Sequence, residues 1–196
     1  MGSIITLSGA RGVGKSTIAR EILREKSYAR MLANVTTRPP QQGDPPGVYR
    51  HLSEAQFHTK KMGGHFTWTA DSEGFRYGVE GIELINALKG QAFRWIAIAP
   101  PYAVSALMDE VERRGELMAG GAMARIWCFF IRVCEEKHRE RLKNCGATPA
   151  TAERLIREGK ELEEQVQEHL SHLPLIMITN EGPIREVVEE ILSYCH

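Results

Sequence analysis

The chain has 196 residues, with 25 Lys and Arg against 25 Asp and Glu, so its formal charge is zero. Balanced charge gives no global attraction to nucleic acid or to an acidic membrane surface, and any basic site has to be local. The four cysteines, Cys128, Cys134, Cys145 and Cys195, show no Cys-x-x-Cys pair or zinc spacing, no apolar run approaches the roughly 20 residues that cross a bilayer, and no secretory segment precedes the first strand, so a reducing cytoplasm is the expected setting.

In chain order, Ile4 to Leu7 read as a buried strand, and Ile18, Ala19, Ile22 and Leu23 recur at helical spacing. Between them lies Gly9-Ala10-Arg11-Gly12-Val13-Gly14-Lys15-Ser16-Thr17, which fits the phosphate-binding pattern G-x-x-x-x-G-K-[ST] in the strand-to-helix context that the pattern needs. Glycines let successive backbone N–H groups point into one concavity, and the helix N-terminus adds partial positive charge. Lys15 is placed to reach the terminal phosphates of ATP, Ser16 to offer its hydroxyl to a magnesium ion, and Thr17 to support the first helical turn.

Met31 to Val35 form a short apolar run that ends in Thr36-Thr37-Arg38-Pro39-Pro40, followed by a long loop from Gln41 to Gly47. Ser53-Glu54-Ala55-Gln56 has the form of a capping box, predicting a helix to about Lys61 that Gly63-Gly64 ends. Phe66 and Trp68, then Phe75 and Tyr77, predict two short strands joined by Asp71-Ser72-Glu73-Gly74. Residues from about 36 to 91 therefore read as a small inserted lobe. The core resumes with a strand from Ala92 to Ala99, closed by Pro100-Pro101, and a helix to about Arg114.

Ala124 to Val133, apolar on both alternating faces, reads as a central strand covered on two sides. Helices over Glu135 to Asn144 and Ala150 to His169 flank a break at Cys145-Gly146-Ala147-Thr148-Pro149; a last strand from Leu173 to Ile178 and a helix opened by Pro183 complete the chain. Strands alternating with helices, with a phosphate loop after the first strand, predict one α/β domain of P-loop NTP hydrolase type: a parallel sheet with helices on both faces and its ligand at the strands' carboxyl ends. His169 and His172 lie three apart beside Glu168, but no third metal ligand accompanies them, and a solvated helix end is the expectation.

Three further segments resemble the guanylate kinase family of nucleoside monophosphate kinases. Thr36-Thr37-Arg38-Pro39 is similar to its T-T-R-x-P-R-x-G-E segment, Tyr49, Ser53 and Phe57 to its D-Y-x-F-V-S segment and following helix, and Arg76-Tyr77-Gly78 to its Y-Y-G. Arg141-Leu142, the break, and Arg154-Leu155 are similar to its arginine-bearing lid, here about residues 143–153. The resemblance implies that Arg38, Tyr49 and Tyr77 hold an acceptor monophosphate and that the phosphate loop holds ATP with magnesium. It also implies that Lys15, Arg38 and Arg154 act on the transferring phosphoryl group. The chain departs from the family where Gln41 replaces a second arginine, where Trp68 stands at the base-reading glutamate with Glu73 the nearest carboxylate, where Ala97 and Ala99 replace an aspartate pair, and where Cys145 stands at a lid arginine; Trp68, with a flat face that can stack on a base, and Glu73 are the candidate substrate-binding residues there. Leu52-Ser53-Glu54-Ala55 and Arg76-Tyr77-Gly78-Val79 also resemble ribose 1,5-bisphosphate phosphokinase.

Positioned cations suit phosphoryl transfer, which asks little covalent chemistry of the protein. Arg139, Arg141, Lys143, Arg154 and Arg157 form the densest basic grouping; Arg154 is expected to be functional and the others mostly to pair with neighbouring glutamates. The expected activity is ATP-dependent phosphorylation of a small phosphorylated acceptor, a nucleotide or a sugar phosphate, with GMP or dGMP the first guess. A guanylate kinase-like binding module with little turnover is the alternative from a different class.

Overall fold

The computed structural model describes residues 3–41, 44, 47–72, 74–89, 94–115, 125–169 and 173–195. In chain order the elements are β1 (Ser3–Ser8), α1 (Lys15–Glu25), β2 (Ala29–Met31), β3 (Asn34–Thr36), β4 (Tyr49–His51), α2 (Glu54–Met62), β5 (Phe66–Ser72), β6 (Phe75–Glu80), α3 (Gly81–Lys89) and β7 (Arg94–Ile98). They continue with α4 (Pro101–Gly115), β8 (Arg125–Arg132), α5 (Glu135–Asn144), α6 (Pro149–His169), β9 (Leu175–Thr179) and α7 (Ile184–Tyr194). A five-stranded parallel sheet has the order β2-β7-β1-β8-β9, and a four-stranded mixed sheet the order β4-β3-β6-β5. No helix among the described residues is long and apolar enough to cross a membrane.

The chain divides into two compact units. One comprises Met1–Ile5, Tyr28–Ala97 and Tyr102–Ile126; the other Thr6–Ser27, Ile98–Pro101 and Trp127–His196.

The first unit carries the mixed sheet. β3 runs parallel to β4, with Asn34 opposite Tyr49, and antiparallel to β6, with Thr36 opposite Tyr77. β5 and β6 form a hairpin that pairs Ala70 with Tyr77 and Trp68 with Val79. Directly opposed residues share a face and alternate residues return to it, so Thr36, Tyr49, Trp68 and Tyr77 all stand on one face. The predicted capping box is present: Gln56 N–H donates to Ser53 Oγ at 3.2 Å, and Ser53 N–H to Gln56 Oε1 at 2.9 Å. It starts α2, whose buried Phe57 stacks on Phe66 with ring centroids 4.6 Å apart.

The run Met31 to Val35 is two strands rather than one. β2 pairs with β7, and after Leu32, whose N–H donates to Ile96 O at 2.8 Å, β3 enters the other sheet. β4 and α3 were not read from the sequence: β4 is three polar residues held by its pairing with β3, and α3 starts on Gly81 straight out of β6.

The second unit carries the phosphate loop. Phe129, Phe130 and Ile131 of β8 are 0%, 2% and 0% exposed, so both faces of the strand are covered, as the continuous apolar run predicts. β9 pairs alongside, with Met177 opposite Phe130. α1 packs on α7, and α5 on α6 around Leu142, Ala152, Leu155 and Ile156.

Candidate phosphate and acceptor sites

The phosphate loop leaves β1 through Gly9, whose φ is 129° and where a Cβ would lie 2.2 Å from the Ile131 carbonyl oxygen, so only glycine fits. Gly14 caps α1 in the left-handed region at φ 101°, and its carbonyl accepts the N–H groups of Thr17 and Ile18 at 3.0 and 2.9 Å. Lys15 is half-buried, and its ammonium folds over the loop, donating to Gly9 O at 2.8 Å and Ala10 O at 2.6 Å. Burial of that ammonium lowers its pKa to about 8.

Side chains from later in the sequence hold the loop's carbonyls. Asn180 Nδ2 donates to Val13 O at 2.8 Å and Arg141 Nη1 to the same oxygen at 3.0 Å, while Arg141 Nη2 donates to Asn180 O at 2.8 Å. His138 Nε2 lies 2.6 Å from Arg11 O; a carbonyl only accepts, so this nitrogen carries the proton. His138 and Asn180 are 5% and 3% exposed. The sequence reading missed Asn180 and His138 and counted Arg141 among arginines paired with glutamates; Arg141 is instead a holder of the loop.

In the first unit Arg38 is 8% exposed. Its Nη2 donates to Asp44 Oδ1 at 2.6 Å and its Nη1 to Pro39 O at 3.1 Å, and its guanidinium carbon lies 5.0 Å from the centroid of the Tyr49 ring. Arg38 N–H donates to Thr36 Oγ1 at 3.1 Å, and His51 Nδ1 lies 2.7 Å from Arg38 O. The second Asp44 oxygen accepts the Gln41 N–H at 2.8 Å. Burial raises the Tyr49 phenol above its ordinary pKa, keeping it a protonated donor. The buried Arg38 guanidinium thus lies beside the Tyr49 ring, on the sheet face that also carries Thr36 and Tyr77.

No family model matches the chain. The guanylate kinase of Nitrosococcus oceani is 29% identical over 115 residues, 53% of this chain and 57% of that protein. That of Neisseria meningitidis serogroup B is 34% identical over 93 residues, 47% of this chain and 45% of that protein. The guanylate kinase of Gloeobacter violaceus is 29% identical over 163 residues, 81% of this chain and 73% of that protein. The chain thus spans about half the length of the first two of these curated relatives. The solved structure of guanylate kinase from Anaplasma phagocytophilum superposes with a TM-score of 0.68 over 99% of this chain and 84% of its own, at 18% identity. The chain is similar to guanylate kinases in part of its sequence and in its fold.

The remaining candidate residues of this guanylate kinase-like chain are placed as follows. Trp68 is 7% exposed, packed into the first unit with no hydrogen-bond partner on Nε1. Glu73 lies outside the described residues, as does His172. Arg154 is exposed on α6 and donates to Glu158 at 2.6 Å. Cys145 is the exposed C-cap of α5. Ser16 is exposed in the first turn of α1, where no acidic residue accompanies it, and among the described residues no group of three or more His, Cys, Asp or Glu could hold a metal. The exposed Ser16 hydroxyl would suit a magnesium ion brought in by a nucleotide.

Proposed function

We propose that the chain catalyses magnesium-ATP-dependent phosphorylation of a nucleoside monophosphate, with GMP or dGMP the first acceptors to try. Gly9 to Thr17 would hold the ATP phosphates, with Ser16 on the magnesium, and Arg38, Tyr49 and Tyr77 would hold the acceptor's phosphate. The observation that carries the reading is Arg38: a guanidinium 8% exposed, framed by Tyr49, in a chain that also has a complete phosphate loop. Bidentate guanidinium contacts suit phosphate, and pre-aimed cations are what phosphoryl transfer needs. Arg154, next to the lid of about residues 143–153, would act on the transferring group. The same reading sets the reaction in a reducing cytoplasm, where the four cysteines stay thiols.

The test is ADP production from magnesium-ATP against GMP, dGMP, AMP, CMP, UMP, dTMP and ribose 1,5-bisphosphate. Turnover with a nucleotide supports the reading and identifies the base. Turnover with the sugar bisphosphate alone overturns the choice of acceptor, and ATP binding with silence across the panel overturns the enzyme.

A further inference from the structure

A phosphate loop works only if its N–H groups face the ligand; within it Lys15 ties the Gly9 and Ala10 carbonyls, while those of Arg11 and Val13 are tied by side chains from later in the chain. In a trans peptide the carbonyl of one residue and the N–H of the next point in opposite directions. Pulling a loop carbonyl to one side therefore aims the following N–H to the other. The carbonyl of Arg11 is held by His138 at 2.6 Å, which directs the Gly12 N–H. The carbonyl of Val13 is held by Asn180 at 2.8 Å and Arg141 at 3.0 Å, which directs the Gly14 N–H.

We propose that His138, Asn180 and Arg141 are positioning residues for the phosphate loop, holding its carbonyls outward so that the N–H groups of Gly12 and Gly14 converge on the polyphosphate. The inference rests on the reading of Gly9 to Thr17 as an ATP site. Two independent features support it. The donors are buried, so their hydrogen bonds are not exchanged freely with water: His138 is 5% and Asn180 3% exposed. Gly14 also yields its space to one of them, since a Cβ there would lie 2.4 Å from Asn180 Nδ2. Asn180 and Arg141 are bonded to each other as well as to Val13, so the second tie is a closed three-membered arrangement that leaves the Val13 peptide one orientation.

The experiment is calorimetric titration of the full chain with tripolyphosphate, with ATP and with adenosine, in wild type and in Asn180→Asp, Arg141→Lys, His138→Leu and His138→Gln. Circular dichroism melting runs alongside. Asn180→Asp is nearly isosteric but turns an acceptor toward the Val13 carbonyl. His138→Leu removes the donor at similar volume, and His138→Gln restores one. We expect Asn180→Asp, Arg141→Lys and His138→Leu each to weaken tripolyphosphate and ATP binding about 5- to 15-fold, a lost hydrogen bond's worth, with His138→Gln within about twofold of wild type. Adenosine binding should not follow. Unchanged tripolyphosphate affinity in the folded variants overturns the inference. So does equal weakening of His138→Leu and His138→Gln with a lowered melting temperature, which assigns that residue to packing. If one variant fails to fold, the remaining two sites carry the test. Failure of the wild type itself to bind tripolyphosphate or ATP overturns the nucleotide-site reading instead.

Discussion

Arg38 and Asp44 face one another at 2.6 Å, and the carboxylate's other oxygen is bound to the Gln41 N–H, so the loop after β3 supplies its own anion to the guanidinium. The Arg38 hydrogen bond holds the Asp44 carboxyl below its ordinary pKa, although partial burial opposes this. A depressed carboxylate stabilises the fold above its unfolded pKa, about 4, and this contribution is lost as pH falls through the depressed value. Melting temperatures of wild type and Asp44→Asn measured from pH 7 down to pH 2 should therefore differ most at neutral pH and converge in acid. A constant gap would show that the pair is not the source.

The proposed function puts Arg38 on the acceptor's phosphate, where Arg38→Lys would keep the charge but lose the planar two-pronged grip. The expected outcome in steady-state kinetics is an acceptor KM raised about 10- to 100-fold, the range for a charge-assisted hydrogen bond, with ATP affinity unchanged. A parallel loss of ATP affinity would contradict this assignment.

Lys15, with a pKa of about 8, is fully charged only below that value in the free protein. Polyphosphate binds the charged form, so ATP affinity should fall as pH rises from 7 to 9, and binding near pH 8.5 should take up protons, readable by calorimetry in two buffers of different ionisation enthalpy. Lys15→Ala should abolish both the proton uptake and phosphotransfer. The linked stability effect has the opposite sense: between about 8 and the ordinary lysine value near 10.4 the unfolded chain holds the extra proton, so the fold gains stability as pH rises through that window.

Gly9 and Gly146 both have positive φ, yet they should respond differently to alanine. At Gly9 a Cβ would meet the Ile131 carbonyl oxygen at 2.2 Å, whereas at Gly146, with φ 80°, nothing lies within 4 Å. Gly9→Ala should cost more than about 2 kcal/mol in denaturant unfolding, and Gly146→Ala only the backbone strain of about 1 kcal/mol. Equal costs would mean that the loop relaxes around the new methyl group.

What the sequence made legible was local. The capping box at Ser53 and Gln56 and the apolar β8 are each specified within a few residues, as is the phosphate-loop pattern, and each stands where its own residues put it. What escaped is non-local. Asn180 meets Val13 across 167 positions and His138 meets Arg11 across 127, so no pattern of neighbours announces them. β4 is strand only because β3 lies beside it, and the break between β2 and β3 reflects a choice between two sheets that a single run of apolar residues does not encode. The same holds for Trp68, whose aromatic character suggests a flat surface for a base but whose burial is set by the hairpin and its surroundings.

The ties on the phosphate loop also bear on how the chain matures during synthesis. Gly9 to Thr17 emerge early relative to the side chains that set the loop's peptide planes, which arrive only with residues 138 to 180. Closing such distant pairs is slow, because chain entropy is given up before any contact compensates it. A growing chain would carry the complete motif through most of its synthesis without an organised anion cradle, and competence to take a nucleotide would come as a late step. A fragment ending before α5 should retain every glycine of the motif and still fail to retain ATP.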